Sequence, residues 1–328
     1  MNLHPATAID LLERTLPVRP VFIIGCQRSG TTMLAAQLGR GANVVALPEM
    51  QFIADLLACE TFDGREAIAA AYHRLISNFR FRVIELPFSL QEFETAATAR
   101  GGKGVVLAIV RKYMAHHQLA KRGTEIVWVE HSPSHRSDVD FLLSHFHDAR
   151  FIHIVRDPRG VYASMKSNPR FYAWEPLTFV RRWIFAVSSG HLSALERPDR
   201  CLEVRYEDLV RDPAGELSSI CAFIGVPFSD VMLEGGGVIL PKFTRKQHAL
   251  TGQRADASKA TDWTKRIHRR EAETIEHFCG QWMKHYGYLS QVGGTPEPTR
   301  TEKFGWTLKF YALYFYTRMH IAVSNSLN

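Results

Sequence analysis

The chain has few cysteines and no long uncharged apolar segment. Its five cysteines show no CxxC spacing, which argues against a disulfide framework and indicates reduced thiols. No uncharged run reaches the ~18 residues of a membrane span. The first twenty residues also lack the basic region and the unbroken apolar stretch of a secretory signal. We therefore expect a protein that resides in the cytoplasm.

The composition is that of a globular protein with a basic balance. Hydrophobic residues make up 46% of the 328 positions and charged residues 22%, which excludes a mainly disordered or collagen-like chain. The formal net charge is +7, which suits an anionic ligand, a nucleic acid or an acidic membrane surface. The basic segments are not interleaved with aromatic residues as in the common RNA-binding modules, so we expect no nucleic acid partner.

Apolar segments that alternate with helical patterns predict an α/β fold. The predicted strands are Val21–Ile24, Glu125–Glu130, Arg150–Arg156 and Cys201–Arg205. The predicted helices are Thr31–Arg40, Glu175–Glu196, Pro213–Phe223 and most of Gln51–Lys121, with breaks at Pro87 and Gly101-Gly102. This order favours a mostly parallel central sheet with helices on both faces. We expect a single P-loop-type domain over residues 1–290, then a linker and an aromatic-rich tail over 291–328.

A glycine-rich loop follows the first predicted strand. It runs from Gly25 to Thr32 and leads directly into a helix, which is the setting in which backbone N–H groups bind an anion. The spacing of Gly25 and Gly30 fits the nucleotide P-loop, but Thr31 stands where that motif requires lysine. The basic residue is Arg28, inside the loop. A nucleotide kinase therefore remains an alternative that the missing lysine disfavours.

Three sequence blocks together resemble a known family. They are Arg28–Thr32 after the first strand, Arg156–Ser164 at the end of the third, and Val204–Leu209 followed by Asp212-Pro213. In this order they resemble sulfotransferases that use 3′-phosphoadenosine 5′-phosphosulfate (PAPS). The arginine in the loop is similar to the carbohydrate and protein-tyrosine branch of that family. The resemblance implies the P-loop-like fold, PAPS as co-substrate and no required metal.

The resemblance also implies roles for individual residues. The implied contacts to the 5′-phosphosulfate are Arg28, Ser29, Gly30, Thr31 and Thr32; those to the 3′-phosphate are Arg156 and Ser164, and Tyr206 would lie near the adenine. The less favoured alternatives are that Ser164 is an ordinary helix residue and that Arg156 forms a surface ion pair. Arg254, in a basic stretch over Lys242–Arg270, is a candidate cofactor contact or part of a solvated face.

Three residues are candidates for catalysis: Arg28, Glu49 and His131. Glu49 lies twenty-one residues after Arg28, comparable to the position of the catalytic glutamate in the resembled branch, and a hydroxyl acceptor requires a base. Its alternative role is that of a solvated or helix-capping carboxylate. His131 stands where many relatives carry lysine, so it is either a hydrogen-bond donor to the sulfuryl group or a structural histidine.

The C-terminal tail Phe304–Val323 is rich in aromatic residues. Seven of the thirteen residues of Phe304–Tyr316 are aromatic, and Lys309, Arg318 and His320 interrupt the tail. This pattern is typical of an interfacial membrane helix, but a homodimer contact or docking on the domain core would use it too. A transmembrane span is disfavoured because Lys309 would lie inside it.

The sequence therefore predicts a cytoplasmic PAPS-dependent sulfotransferase, peripheral at the membrane if the tail binds there. We expect the acceptor to be a hydroxyl on a carbohydrate or glycolipid. Two alternatives stay open at this point. One is the nucleotide kinase, and the other is a non-catalytic, membrane-associated protein that keeps a bisphosphate-nucleotide pocket.

Overall fold

A computed structural model describes most of the chain between residues 18 and 312. The ranges that it leaves out within these limits are 120–124, 168–174, 243, 245–250, 289, 291–295 and 310. The part of the predicted tail from residue 313 onward lies outside the described residues. Residues 291–295 of the predicted linker lie outside them as well.

Five parallel strands form the sheet at the centre of the described chain. They are β1 (Val18–Gly25), β2 (Val44–Ala46), β3 (Ile126–Glu130), β4 (Arg150–Val155) and β5 (Cys201–Arg205). Their order is β2-β3-β1-β4-β5, so β1 lies between β3 and β4. Parallel strands end at the same edge of the sheet, which brings the residues after β1, β3 and β4 together there. The α/β class and the parallel sheet are confirmed.

Helices cover both faces of the sheet. They are α1 (Thr31–Leu38), α2 (Ile53–Leu57), α3 (Gly64–Ser77), α4 (Phe79–Arg82), α5 (Leu90–His116), α6 (Val139–His145), α7 (Pro158–Lys166), α8 (Pro176–Glu196), α9 (Tyr206–Arg211), α10 (Pro213–Ile224) and α11 (Arg269–His285). Short 3₁₀ segments occur at Pro133–Ser137, Asp230–Glu234, Ala257–Ala260 and Asp262–Lys265, and residues 300–309 are helical. None of the helices in the described ranges is long and apolar enough to cross a membrane.

The alternating side chains of β1 connect the two apolar cores. Phe22 and Ile24 pack with Trp128 and the helices of the α2–α6 region on one face. Val21 and Ile23 pack on the other face with α1 and α10. All four β1 side chains are fully buried. The consequence is a rigid central strand whose carboxyl end cannot move independently of either layer.

Most sequence-based element predictions are confirmed. The strand Cys201–Arg205 has the predicted bounds, and α1 begins at the predicted Thr31 and ends at Leu38, two residues before the predicted Arg40. The structure also shows that Asp157 and Asp212, each followed by proline, are the N-caps of α7 and α10 and accept hydrogen bonds from the N–H groups of Arg159 and Gly215. The predicted break in the long helical region is also present. It is a kink at Gly101 (φ 56°), where a Cβ would overlap the carbonyl oxygen of Glu60.

Strand β2 and helix α11 are among the elements that were not predicted. Strand β2 has only three residues, too few for an alternating pattern to be recognised. Helix α11 buries Ala272, Ile275, Cys279 and Met283 along one face. Those residues are spaced by three and four, so helical periodicity carried a usable signal there.

Candidate anion-binding and transfer site

The loop after β1 is shaped by close approaches of its backbone to neighbouring elements. Gly25 has φ 146°, and a Cβ on it would lie 2.4 Å from the carbonyl oxygen of Ile154 on β4. Gly30 has φ 106°, and a Cβ there would lie 2.7 Å from the ring of Tyr206. Between them Arg28 adopts a left-handed conformation with φ 71°. Only glycine satisfies both ends of this loop, which explains the spacing seen in the sequence.

The first turn of α1 provides hydrogen-bond donors at the carboxyl edge of the sheet. Its N-cap is Gly30, which has no side chain to cap the free N–H groups. Ser29 is fully buried, and its Oγ has no hydrogen-bond partner in the described part of the chain. Thr31 and Thr32 are buried beside it. A helix N-terminus with spare buried donors is suited to an anion.

The structure brings the three sequence blocks into contact around Arg156. Its Nη1 donates to the carbonyl oxygen of Arg28 at 3.1 Å, and its guanidinium lies 4.1 Å from the centre of the Tyr206 ring. Arg28 in turn donates through Nε to Oγ of Ser164 at 3.2 Å. Arg156 Nη2 donates to the carbonyl oxygen of Lys259 at 2.9 Å. One set of contacts therefore links the glycine-rich loop, α7, α9 and the Lys259 segment.

Electrostatics favour an anion at this point. Burial lowers the pKa of the Arg28 guanidinium, and the neighbouring Arg156 lowers it further, whereas Glu49 acts in the opposite direction. Arg156 is 7% exposed, donates only to backbone carbonyls, and its Nε has no partner among the described residues. Two adjacent cations, one buried and one partly buried, are costly, and an anion bound between them would offset that cost.

Glu49 lies beside this cationic centre in the segment after β2. Its Oε2 accepts from Arg80 at 3.0 Å and from Gln51 at 3.5 Å. Oε1 accepts no hydrogen bond from the described residues. Arg80 belongs to α4, so the helical region after β2 holds one oxygen of the carboxylate.

Glu130 was not among the predicted site residues, yet it ties the segment of Glu49 to the end of β3. Its buried carboxylate accepts from the N–H of Met50 at 2.7 Å and from the N–H of Ser132 at 2.9 Å, and Nε2 of His135 lies 3.2 Å away. Glu130 thus fixes the residue that follows Glu49. Its burial and its contact with Met50 depend on which strands are neighbours, so the local sequence carried no signal for it.

The Glu130–His135 pair is ionised over a wide pH range. Burial by itself would raise the pKa of Glu130, but His135 and its hydrogen bonds lower it to about 2. Burial would lower the pKa of His135, but Glu130 and Asp138 raise it to about 9. Because the pair is almost completely buried, its ions stabilise each other strongly and would be expensive to separate.

The two remaining candidates occupy different environments. His131 is 2% exposed, contributes to the field that lowers the pKa of Glu130, and has an Nδ1 without a partner in the described ranges. Arg254 pairs with Glu234 at 2.7 Å, and 71% of its side chain is exposed. The roles predicted for both stay predictions.

A parallel α/β sheet with a glycine-rich anion loop at its carboxyl edge defines a P-loop-like class of protein. Within that class, a sequence model described as "Sulfotransferase family" matches residues 20–230, and the chain belongs to this family. The nucleotide-kinase alternative is thereby set aside.

Three individual relatives illustrate the likeness. The chain is 28% identical to Protein-tyrosine sulfotransferase 1 of Danio rerio, over 69% of this chain and 60% of that protein. It is 26% identical to Omega-hydroxy-beta-dihydromenaquinone-9 sulfotransferase Stf3 of Mycobacterium bovis, over 88% of this chain and 79% of that protein. The solved sulfotransferase domain of the Synechococcus PCC 7002 olefin synthase has a TM-score of 0.57 and 22% identity, covering 84% and 97% of the two chains, and shares the fold.

The buried Glu130–His135 pair leads to a stability prediction. Glu130→Gln leaves His135 without its main counter-charge, so we expect a loss of about 3–5 kcal/mol in the free energy of unfolding at pH 6. The raised pKa of His135 stabilises the fold fully below its usual value of 6.5, and this contribution disappears as the pH rises through about 9. Urea unfolding at pH 6 and pH 9.5 measures both effects.

The control is Glu125→Gln at the start of the same region, where the carboxylate pairs with Arg19 and is 37% exposed. It should cost no more than about 1 kcal/mol. A Glu130→Gln variant that loses stability between the two pH values as steeply as the parent protein would contradict the assignment.

Proposed function

We propose that the protein transfers a sulfuryl group from PAPS to a hydroxyl acceptor. The observation that carries this proposal is the convergence of Arg28, Arg156 and Ser164 at the N-terminus of α1, beside the buried hydroxyl of Ser29 that has no partner in the described chain. Two cationic centres joined by one hydrogen bond fit a ligand that carries two separate phosphate groups. That arrangement supports a 3′,5′-bisphosphate nucleotide over a nucleotide with a single phosphate chain.

The proposed contacts follow from where these groups lie. Arg28 and the first-turn N–H groups of α1, with Ser29, Thr31 and Thr32, would hold the 5′-phosphate. Arg156 and Ser164 would hold the 3′-phosphate, with Tyr206 beneath the guanidinium as a supporting ring. PAPS supplies the sulfuryl group and a bisphosphate leaving group. Sulfuryl transfer resembles phosphoryl transfer, so positioning and charge stabilisation dominate the catalysis.

The chain's own cations would take the place that a metal ion has in many phosphoryl transferases. The guanidinium of Arg28 presents several donors in a plane, and this geometry matches the oxygens of a phosphate. Charge that develops on the leaving oxygen would be stabilised by Arg28 and by the positive end of α1. We therefore propose that the transfer needs no metal.

Glu49 is the proposed general base. Its Oε2 is held by Arg80, and Oε1 is left for the acceptor hydroxyl. Glu130, through the N–H of Met50, keeps this segment against the end of β3. The proton of the acceptor hydroxyl would pass to Oε1 as the acceptor oxygen attacks the sulfur. Holding one oxygen while the other stays available positions a base without a rearrangement.

The predicted acceptor is a carbohydrate or glycolipid hydroxyl, and the C-terminal segment favours the lipid-linked form. Phe304, Leu308 and Tyr311 are all more than half exposed, and their spacing of four and three places them along one face of the helical segment. Arg270 holds this segment to the start of α11 through Glu302 at 2.7 Å. The mycobacterial relative, whose name specifies a menaquinone acceptor, also supports a lipid-linked hydroxyl.

We propose that this exposed face brings the enzyme to a membrane surface from the cytoplasmic side. Large apolar side chains next to a cation such as Lys309 favour the boundary between headgroups and acyl chains. A contact between two copies of the chain would use the same face and is an outcome of the test below.

The anion site predicts tight, metal-independent binding of adenosine 3′,5′-bisphosphate. Arg156→Ala should reduce the affinity by about 2 kcal/mol or more, roughly 30-fold, because a buried charged partner is removed. Calorimetry in a buffer containing a chelator measures this. Arg211→Ala is the matched control, since Arg211 is 69% exposed and pairs with Asp208. Equal affinity of Arg156→Ala and the control would remove the 3′-phosphate assignment.

If Glu49 is the base, replacing it should change the transfer rate and leave the affinity for the bisphosphate unchanged. Glu49→Gln should keep the affinity for the bisphosphate and lower the transfer rate by about 10²-fold or more, the usual scale for a general base. The assay follows radiolabelled sulfuryl groups from PAPS into solvent-extractable lipid of a membrane preparation. A rate within two- to threefold of the parent enzyme would point to another base, with His131→Gln as the next variant.

The tail predicts binding to anionic vesicles. The full chain should co-sediment with them, and a chain ending at Pro298 or carrying Phe304→Ser with Leu308→Ser should stay in the supernatant. Because both side chains are exposed, the double variant should unfold within about 0.5 kcal/mol of the parent. A large loss of stability would instead indicate docking on the core, and a loss of dimer in light scattering would indicate a subunit contact.

A further inference from the structure

A cluster of imidazoles around one carboxylate lies on the edge strand of the sheet. Glu203 is in the middle of β5, and His153 is its register partner on β4. His191 on α8 and His285, the last residue of α11, approach the same carboxylate from the helices that cover this face. Neither the glycine-rich loop nor the proposed transfer chemistry uses these residues.

The separation of the donor atoms fits a metal ion. One ligand atom from each of His191, Glu203 and His285 can be chosen so that all lie within 4.8 Å of one another. Nδ1 of His191 lies 3.3 Å from Oε1 of Glu203. Bonds of about 2.0–2.1 Å at tetrahedral angles place two zinc ligands ~3.3 Å apart, so this pair already has the required spacing.

The second oxygen of Glu203 is fixed by other groups. Nδ1 of His153 lies 2.9 Å from Oε2, and the hydroxyl of Tyr286 donates to the same atom at 2.8 Å. These contacts hold the carboxylate in place, and Nδ1 of His191 lies 3.3 Å from both of its oxygens. Outer groups that hold a carboxylate in this way are characteristic of metal sites, because they set the direction of the ligand before the ion binds.

The backbone of α8 is adapted to the cluster. His153 is fully buried, and a Cβ on Gly190 would lie 2.4 Å from its ring. Glycine at position 190 therefore lets α8 approach closely enough for the neighbouring His191 to reach Glu203. The cluster depends on this close contact between the helix and the edge strand.

We propose that His191, Glu203 and His285 bind one zinc ion. Two imidazoles and a carboxylate are a common zinc donor set, and the exposed side of His285 leaves a fourth position for water. The ion would clamp α8 and the end of α11 to β5. Helix α8 also carries Trp183, whose Nε1 donates to the carbonyl oxygen of Arg156 at 3.2 Å. The ion therefore supports the helix that backs the anion site and takes no part in the transfer itself.

The test uses the full chain without an affinity tag, freed of metal by dialysis against a chelator. Calorimetric titration with zinc chloride should show one ion per chain, and thermal unfolding should shift to higher temperature as the zinc concentration rises. Cobalt(II) should give the visible absorption of a four-coordinate site. The decisive variant is His285→Ala, because an exposed side chain can be removed without disturbing the fold; it should weaken zinc binding at least tenfold.

His147→Ala is the matched control, since His147 is an exposed histidine outside the cluster, and it should bind zinc as the parent does. Tyr286→Phe, which keeps the ring and removes only the donor to Oε2, should weaken binding by about tenfold. Absence of zinc binding, or equal binding by the parent and by His285→Ala, would overturn the proposal and leave the cluster as a hydrogen-bond network. Binding of adenosine 3′,5′-bisphosphate by the chelated protein is measured in parallel, so that the two proposals can fail separately.

Discussion

The close placement of two guanidinium groups, one buried and one partly buried, at the carboxyl edge of the sheet is the constraint on which the site depends. Arg28 and Arg156 repel each other, and the fold keeps them together through the Arg28 carbonyl, the Tyr206 ring and Ser164. The buried carboxyl part of β1 makes this possible, because it holds the loop rigidly between β3 and β4. The fold therefore stores an unfavourable interaction that a bound anion would relieve, a common feature of preorganised binding sites.

Glu130 is a negative charge that the fold likewise holds in the interior through surrounding contacts. A fully buried carboxylate is tolerated because Met50, Ser132 and His135 satisfy it, and through Met50 it fixes the segment that carries Glu49. Two carboxylates in different environments are thus linked through Met50. Glu130 is fully buried and holds the backbone, whereas Glu49, the proposed base, is partly exposed. Their different environments divide the structural role from the proposed catalytic role.

The sequence was sufficient for the sheet and for the loop, because glycine spacing, apolar runs and Asp-Pro helix starts are local signals. It was not sufficient for Glu130 or for the Glu203 cluster. Those contacts depend on which strands are neighbours, and strand order is not encoded within a window of a few residues. Helix α11 is a different case, since its buried residues repeat at helical spacing and could have been predicted. The ion pair between Arg254 and Glu234 likewise joins residues that are far apart in the sequence, so a local pattern does not predict it.

The hydrogen bond from Arg156 to the carbonyl of Arg28 has a consequence for nucleotide choice under the proposed function. One guanidinium would serve the 3′-phosphate with some of its N–H groups while bracing the loop around the 5′-phosphate with another. A nucleotide that lacks the 3′-phosphate would leave Arg156 uncompensated and the loop less firmly braced, so it would lose binding at both ends. Selectivity against abundant cellular nucleotides such as ATP would then arise from a shared backbone contact, without a steric barrier to the wrong nucleotide.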